Sequence, residues 1–151
     1  MIEAVIEDGG WNTALPDIEA LAAACQKAAA AGEAGLEREI ALLLCDDETI
    51  RDLNQRFRGR DKPTNVLSFP SGEIDGFLGD IALARETCLR EAAEKGLALR
   101  DHAAHLIIHG MLHLIGYDHE TDDDAAVMER RETEILRSMG IADPYDPEGE
   151  D

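Results

Sequence analysis

The stretch Leu99–Gly116, LRDHAAHLIIHGMLHLIG, reads as the longest helix of the chain, and Gly116 stops it. Working outward, Ala84–Lys95 reads as a shorter helix stopped by Gly96, and Asp122–Met139 as a last helix stopped by Gly140. Leu78–Leu83 and Val66–Phe69 read as strands, the latter closed by Pro70, with the turn-rich Ser71–Gly76 between them. Glu39–Cys45, EIALLLC, is the apolar run of a buried strand. Asp46 and Asp47 then offer N-caps for a helix through Ile50, Leu53 and Phe57. The opening IEAVIE alternates loosely, as a strand does, and Pro16–Ala31 reads as an alanine-rich helix ended by Gly32. About four strands mixed with helices make a single α+β or α/β domain whose strand order is not visible in the sequence.

Composition agrees with this reading. The 151 residues suit one domain, and 44% apolar residues argue against wholesale disorder. No stretch approaches the ~20 apolar residues of a membrane span, and Met1–Gly10 lacks the features of a secretory signal. Cys25, Cys45 and Cys88 are odd in number and far apart, which fits reduced thiols in the cytoplasm. Charge is uneven. The chain carries 14 basic against 33 acidic residues, a net charge of −19. Residues 51–62, RDLNQRFRGRDK, hold five of the basic and two of the acidic residues, so the remainder is 9 against 31. An acidic body of this kind disfavours nucleic acid as a partner, except at that one basic loop. The tail from residue 143, DPYDPEGED, is acidic and expected to be mobile beyond a folded 1–142.

Chemistry concentrates in His109-Gly-Met-Leu-His113-Leu-Ile-Gly116-Tyr-Asp-His119. Residues four apart on a helix project within roughly 40° of each other and about 6 Å apart along the axis, so His109 and His113 can meet one metal ion. Gly116 lets the chain turn, and His119 can fold back as a third nitrogen ligand. Three histidines leave a fourth position for water or substrate, the arrangement of a catalytic zinc site. The spacing is that of the metzincin proteases without their glutamate, whose place Gly110 takes, so peptide hydrolysis by that route is not expected. A metal beside a guanidinium suits phosphodiester cleavage instead.

The three-histidine segment, the run Leu53–Pro70 (LNQRFRGRDKPTNVLSFP), Gly79-Asp80-Ile81 and the Asp143-Pro144-Tyr145 ending together resemble the YbeY family of bacterial endoribonucleases and rRNA maturation factors. The resemblance implies an α+β domain with a central mixed sheet and flanking helices. It implies one zinc ion on His109, His113 and His119, with Arg58 as the catalytic arginine at the cleft. It further implies cleavage of single-stranded RNA in maturation of the small-subunit rRNA 3′ end and in ribosome quality control, with the rRNA precursor and the small ribosomal subunit or its proteins as partners. The nucleophile stays open between water and the RNA 2′-hydroxyl.

Other residues carry further expectations. Arg56, Arg60 and Lys62 are candidates for flanking phosphate contacts. Asp118 and His105 are candidates for orienting a ligand or lining the cleft, although a buried polar role suits His105 better. Asp122–Asp124 is expected to cap the last helix, and Thr64, Asn65 and Ser68 to serve turns. Two further readings remain: a ribosome-associated assembly factor with a mainly structural metal, and a degenerate metzincin-like metalloprotease.

Overall fold

The computed structural model describes residues 1–72 and 76–145. Four strands, β1 (Ile2–Ile6), β2 (Glu39–Cys45), β3 (Val66–Pro70) and β4 (Phe77–Ala84), form one sheet in the order β1-β2-β4-β3. β1 and β4 each run parallel to β2, whereas β3 pairs antiparallel with β4. The helices among the described residues are α1 (Gly10–Ala14), α2 (Ile18–Ala30), α3 (Asp47–Arg58), α4 (Arg85–Lys95), α5 (Leu99–Leu114) and α6 (Asp122–Ser138). The expected α+β domain with a mixed four-stranded sheet is therefore found, and every expected strand and helix is present.

Alternation along the strands builds two cores of unequal size. Ile40, Leu42 and Leu44 of β2, with Ile81 and Leu83 of β4, face the main core beside Leu21, Ile107, Ile108 and Met111 of α2 and α5. The intervening Leu43 and Cys45, with Ala82 and Ala84, face a smaller cluster under Ile50 and Leu53 of α3. α5 is buried along most of its length, enclosed by the sheet on one side and by α2, α4 and α6 on the others. Its approach to the sheet needs Gly110: a Cβ there would stand 3.0 Å from Ile81 Cγ2 and 3.1 Å from Ser68 Oγ.

Two details differ from expectation. α1 is a five-residue helix with no periodic signal of its own. It exists because fully buried Trp11 donates its indole N–H to the Cys45 carbonyl at 2.9 Å, while Asp8 accepts from the Gly10 N–H. The cap of α6 is Thr121, whose hydroxyl accepts from the Asp124 N–H at 3.0 Å. Asp122–Asp124 instead occupy the first turn, where their charges complement the helix dipole. The Asp46 cap of α3 is found as expected, accepting from Thr49 N–H at 2.8 Å. Of the tail from residue 143, Tyr145 packs edge-on against His105; residues 146–151 lie outside the described residues, as do 73–75 of the Ser71–Gly76 turn.

The three cysteines are free and fully buried. Burial pushes the Cys25 and Cys45 thiols up to about 12, and that of Cys88 higher still. Native protein at pH 8 is therefore expected to take up no iodoacetamide, and unfolded protein three equivalents, counted by intact mass. Fast labelling of native protein would contradict this packing.

Candidate metal centre

His102, His105, His109 and His113 succeed one another at steps of three and four, so α5 presents them as a single stripe. Each meets an oxygen. His102 Nε2 lies 2.9 Å from Glu91, and His105 Nε2 2.9 Å from the Tyr145 hydroxyl and closer still to Glu132 Oε1. His109 Nδ1 lies 3.0 Å from Glu132 Oε2, and His113 Nδ1 2.8 Å from the Tyr117 carbonyl. The helix ends, the chain turns at Gly116 with φ 105°, and His119 returns to stack on His109 at 5.6 Å between ring centres.

These partners assign the tautomers. A peptide carbonyl only accepts, so His113 carries its proton on Nδ1. An ionised carboxylate also only accepts, which places the His109 proton on Nδ1. Both Nε2 atoms are left with lone pairs, and these atoms face each other at 3.0 Å. Two lone pairs cannot hydrogen-bond to one another; a cation between them turns the repulsion into ligation. One nitrogen each from His109, His113 and His119 lies within 4.8 Å of the others. Burial and the neighbouring His109 ring lower the His113 pKa, favouring the neutral form that binds metals. The residues thus fit a nitrogen-preferring divalent ion.

Glu132 of α6 escaped the sequence reading. It is fully buried, and its two oxygens bridge His105 and His109 while accepting from the Tyr145 hydroxyl at 2.6 Å. Burial alone would raise its pKa, but hydrogen bonds from His105 and His109 outweigh that and hold it near 2. A carboxylate behind a ligating imidazole fixes ring orientation and raises ligand basicity. Tyr117 performs the matching task for His113 through its carbonyl. Its own hydroxyl donates to Glu33 at 2.8 Å, and Arg131 donates to the same carboxylate oxygen at 2.6 Å. The loop carrying His119 is thereby pinned to the segment after α2 and to the middle of α6.

The histidines open onto a cleft of about 350 Å³ that Arg58, Thr64, Asn65, Ser68 and Pro70 also line. Arg58 ends α3, and one of its terminal nitrogens donates to the Ser68 carbonyl at 2.8 Å. No carboxylate pairs with it among the described residues. Ser68 in turn donates to the Gly110 carbonyl at 3.2 Å, tying β3 to the metal helix. Asn65 bridges Glu91 and the Val66 N–H.

Other expected residues stand apart. Arg56 pairs with Asp52 at 3.2 Å, and exposed Arg60 and Lys62 do not line the cleft. Asp118 accepts from the Glu120 N–H and hydrogen-bonds to no imidazole among the described residues. The orienting role expected of it falls to Glu132 and Tyr117. His105 is buried behind His109 rather than lining the cleft. Gly110 faces the sheet, so a glutamate at that position would press on Ile81 and Ser68.

A family model described as Endoribonuclease YbeY matches residues 10–140. Proteins named Endoribonuclease YbeY from Rhodospirillum rubrum and Sphingopyxis alaskensis are 48% and 50% identical over 91% and 89% of this chain, covering 78% and 88% of their own lengths. The namesake from Azorhizobium caulinodans is 47% identical, with 95% of each chain covered. The solution structure of TM1509 from Thermotoga maritima superposes with a TM-score of 0.56 at 26% identity, covering 93% of this chain and 92% of that one.

Proposed function

The chain belongs to the Endoribonuclease YbeY family, and on that premise we propose that it is a metal-dependent endoribonuclease cutting single-stranded RNA at the His109–His113–His119 centre. Its role is in rRNA maturation, with the small-subunit 3′ end as substrate and ribosome quality control as the wider setting. The observation that carries the reading is the pair of opposed Nε2 lone pairs in a cleft also lined by an arginine that pairs with no carboxylate among the described residues. Zinc is the ion that three imidazoles and an open position suit best. When bound, it supplies Lewis acidity, polarising a phosphoryl oxygen and lowering the pKa of a water.

The chain's own groups do the rest. Glu132 and Tyr117 hold two imidazoles by Nδ1, leaving both Nε2 atoms for the ion they would bind. The Arg58 guanidinium has five N–H donors and gives one of its nitrogens to Ser68, so others remain for phosphate oxygens as charge builds on them. Buried apolar packing around α5 keeps this constellation rigid. The acidic body leaves little general affinity for RNA, and suits docking through basic proteins of the small ribosomal subunit in the cytoplasm. No helix among the described residues is long and apolar enough to cross a membrane.

Arg58→Ala tests the assignment. It is expected to keep its zinc and lower the cleavage rate of a small-subunit 3′ rRNA fragment by about 100- to 1000-fold. An unchanged rate would remove Arg58 from the chemistry. The product ends identify the nucleophile: a 2′,3′-cyclic phosphate implicates the 2′-hydroxyl, a 5′-phosphate implicates water. Intact RNA with zinc-loaded wild type, combined with collapse of the fold on chelation, would favour the assembly-factor reading.

A further inference from the structure

A second cavity, of about 590 Å³, lies on the α3 face of the sheet, lined by Leu53, Phe57, Phe69 and Asp80 among others. It shares Arg58, Ser68 and Pro70 with the histidine cleft, so the two hollows flank β3 and meet at the arginine. Ile50, Leu53 and Phe57 form the sheet-facing stripe of α3 at steps of three and four. Ile50 and Leu53 find the sheet; Phe57, the next-to-last residue of the helix, overhangs it and is 64% exposed. Its ring sits 5.3 Å from Phe69 at a 60° tilt, and the Arg58 guanidinium lies 5.7 Å over the Phe69 ring. Asp80 stands opposite Phe69 in the β3–β4 register, so the two side chains share this face. Its carboxyl has no hydrogen-bond or ion-pair partner among the described residues, and partial burial raises its pKa.

We propose that this groove is a nucleobase subsite, holding an unpaired base next to the phosphate at the metal cleft. The inference rests on RNA being the substrate. An exposed aromatic ring beside an arginine over a second ring is the platform on which bases of single strands stack. The groove is mostly apolar, with Asp80 its one carboxylate among the described residues, which offers ring area for stacking and an acceptor for base N–H groups. It begins at the arginine assigned to the phosphate, so a strand crossing β3 places sugar-phosphate at the histidines and a base at Phe57. A segment of a basic ribosomal protein would use the rings and pair Asp80 with a cation, and abasic probes separate that occupant from a base.

The test is binding of a five-nucleotide single-stranded 2′-O-methyl RNA to zinc-loaded full-length protein, read by fluorescence anisotropy, with probe integrity checked on a gel. Five further probes each lack one base. For wild type, one abasic position is expected to weaken binding about tenfold or more. Phe57→Ala, at an exposed position outside both cores, is expected to lose the same factor on the intact probe and to be indifferent to that abasic position. Asp80→Asn is expected to change which base is preferred there. Equal affinity of Phe57→Ala and wild type, or abasic penalties that persist in the variant, would overturn the subsite and leave the groove to a protein partner. Cleavage of unmodified RNA is scored separately: base-dependent binding without cleavage keeps the subsite and sinks the enzyme reading, whereas cleavage with no Phe57 effect does the reverse.

Discussion

His113→Ala is expected to abolish zinc binding and to lower RNA cleavage by at least about 1000-fold, since a Lewis-acid ion contributes several kcal/mol at the transition state. The variant should fold. Position 113 lies in the last turns of α5, alanine is the best helix former, and the ring is only partly buried. Without metal, removing the His113 ring also removes the opposed lone pairs at 3.0 Å. Metal-free variant and metal-free wild type should therefore melt at similar temperatures. Zinc at 100 times its dissociation constant stabilises wild type by ~2.7 kcal/mol, a rise of roughly 5–10 °C for a domain of this size. That rise should vanish in the variant. Melting curves with and without zinc, beside elemental analysis, decide the matter, and an undiminished zinc shift would show that His113 is not a ligand. Equal cleavage by both proteins would expose a contaminating ribonuclease.

Local patterns made most of this molecule legible. Helices and strands followed from periodicity and stop signals because each is a property of a few neighbouring residues. His109, His113 and His119 were legible for the same reason: a helical step of four and a glycine turn bring them together within eleven residues. Strand order was not, because parallel pairing of β2 with β4 joins strands separated in the chain by α3 and β3. α1 was missed because five residues hold no period, and what stabilises it is one indole hydrogen bond to a strand 34 positions away.

Glu132 was hidden for a different reason. It sits in the charged segment ERRETE, where a carboxylate looks solvated. Yet α6 buries Met128, Ile135 and Leu136, and Glu132 falls four residues after the first and three before the second. A lone acid on the apolar stripe of an amphipathic helix was the available signal, since an acid buried there must be paired. Tyr145 gave no such signal. Its hydroxyl finds Glu132 and His105 only because the chain after α6 folds back along α5.

Replacing Glu132 is therefore expected to act on metal affinity before it acts on chemistry. Glu132→Gln keeps the shape and one acceptor, but removes the charge and turns one end of the side chain into a donor among groups that donate to it. Zinc affinity, measured by competition with a chelator, should fall about 10- to 100-fold. Cleavage at saturating zinc should recover to near the wild-type rate, because Glu132 is fully buried and reaches the ion only through His109. Glu132→Leu goes further and deprives His105, His109 and Tyr145 of their common acceptor. His105 and Tyr145 still have each other at 2.9 Å, so His109 is the group left unpaired; at about 1 kcal/mol or more for it, the metal-free protein should melt roughly 2–4 °C lower or more. A merely structural carboxylate would lower the melting temperature in both variants and leave zinc affinity untouched. A carboxylate that positions His109 must weaken zinc binding even in the isosteric variant, and wild-type zinc affinity in Glu132→Gln would refute that role.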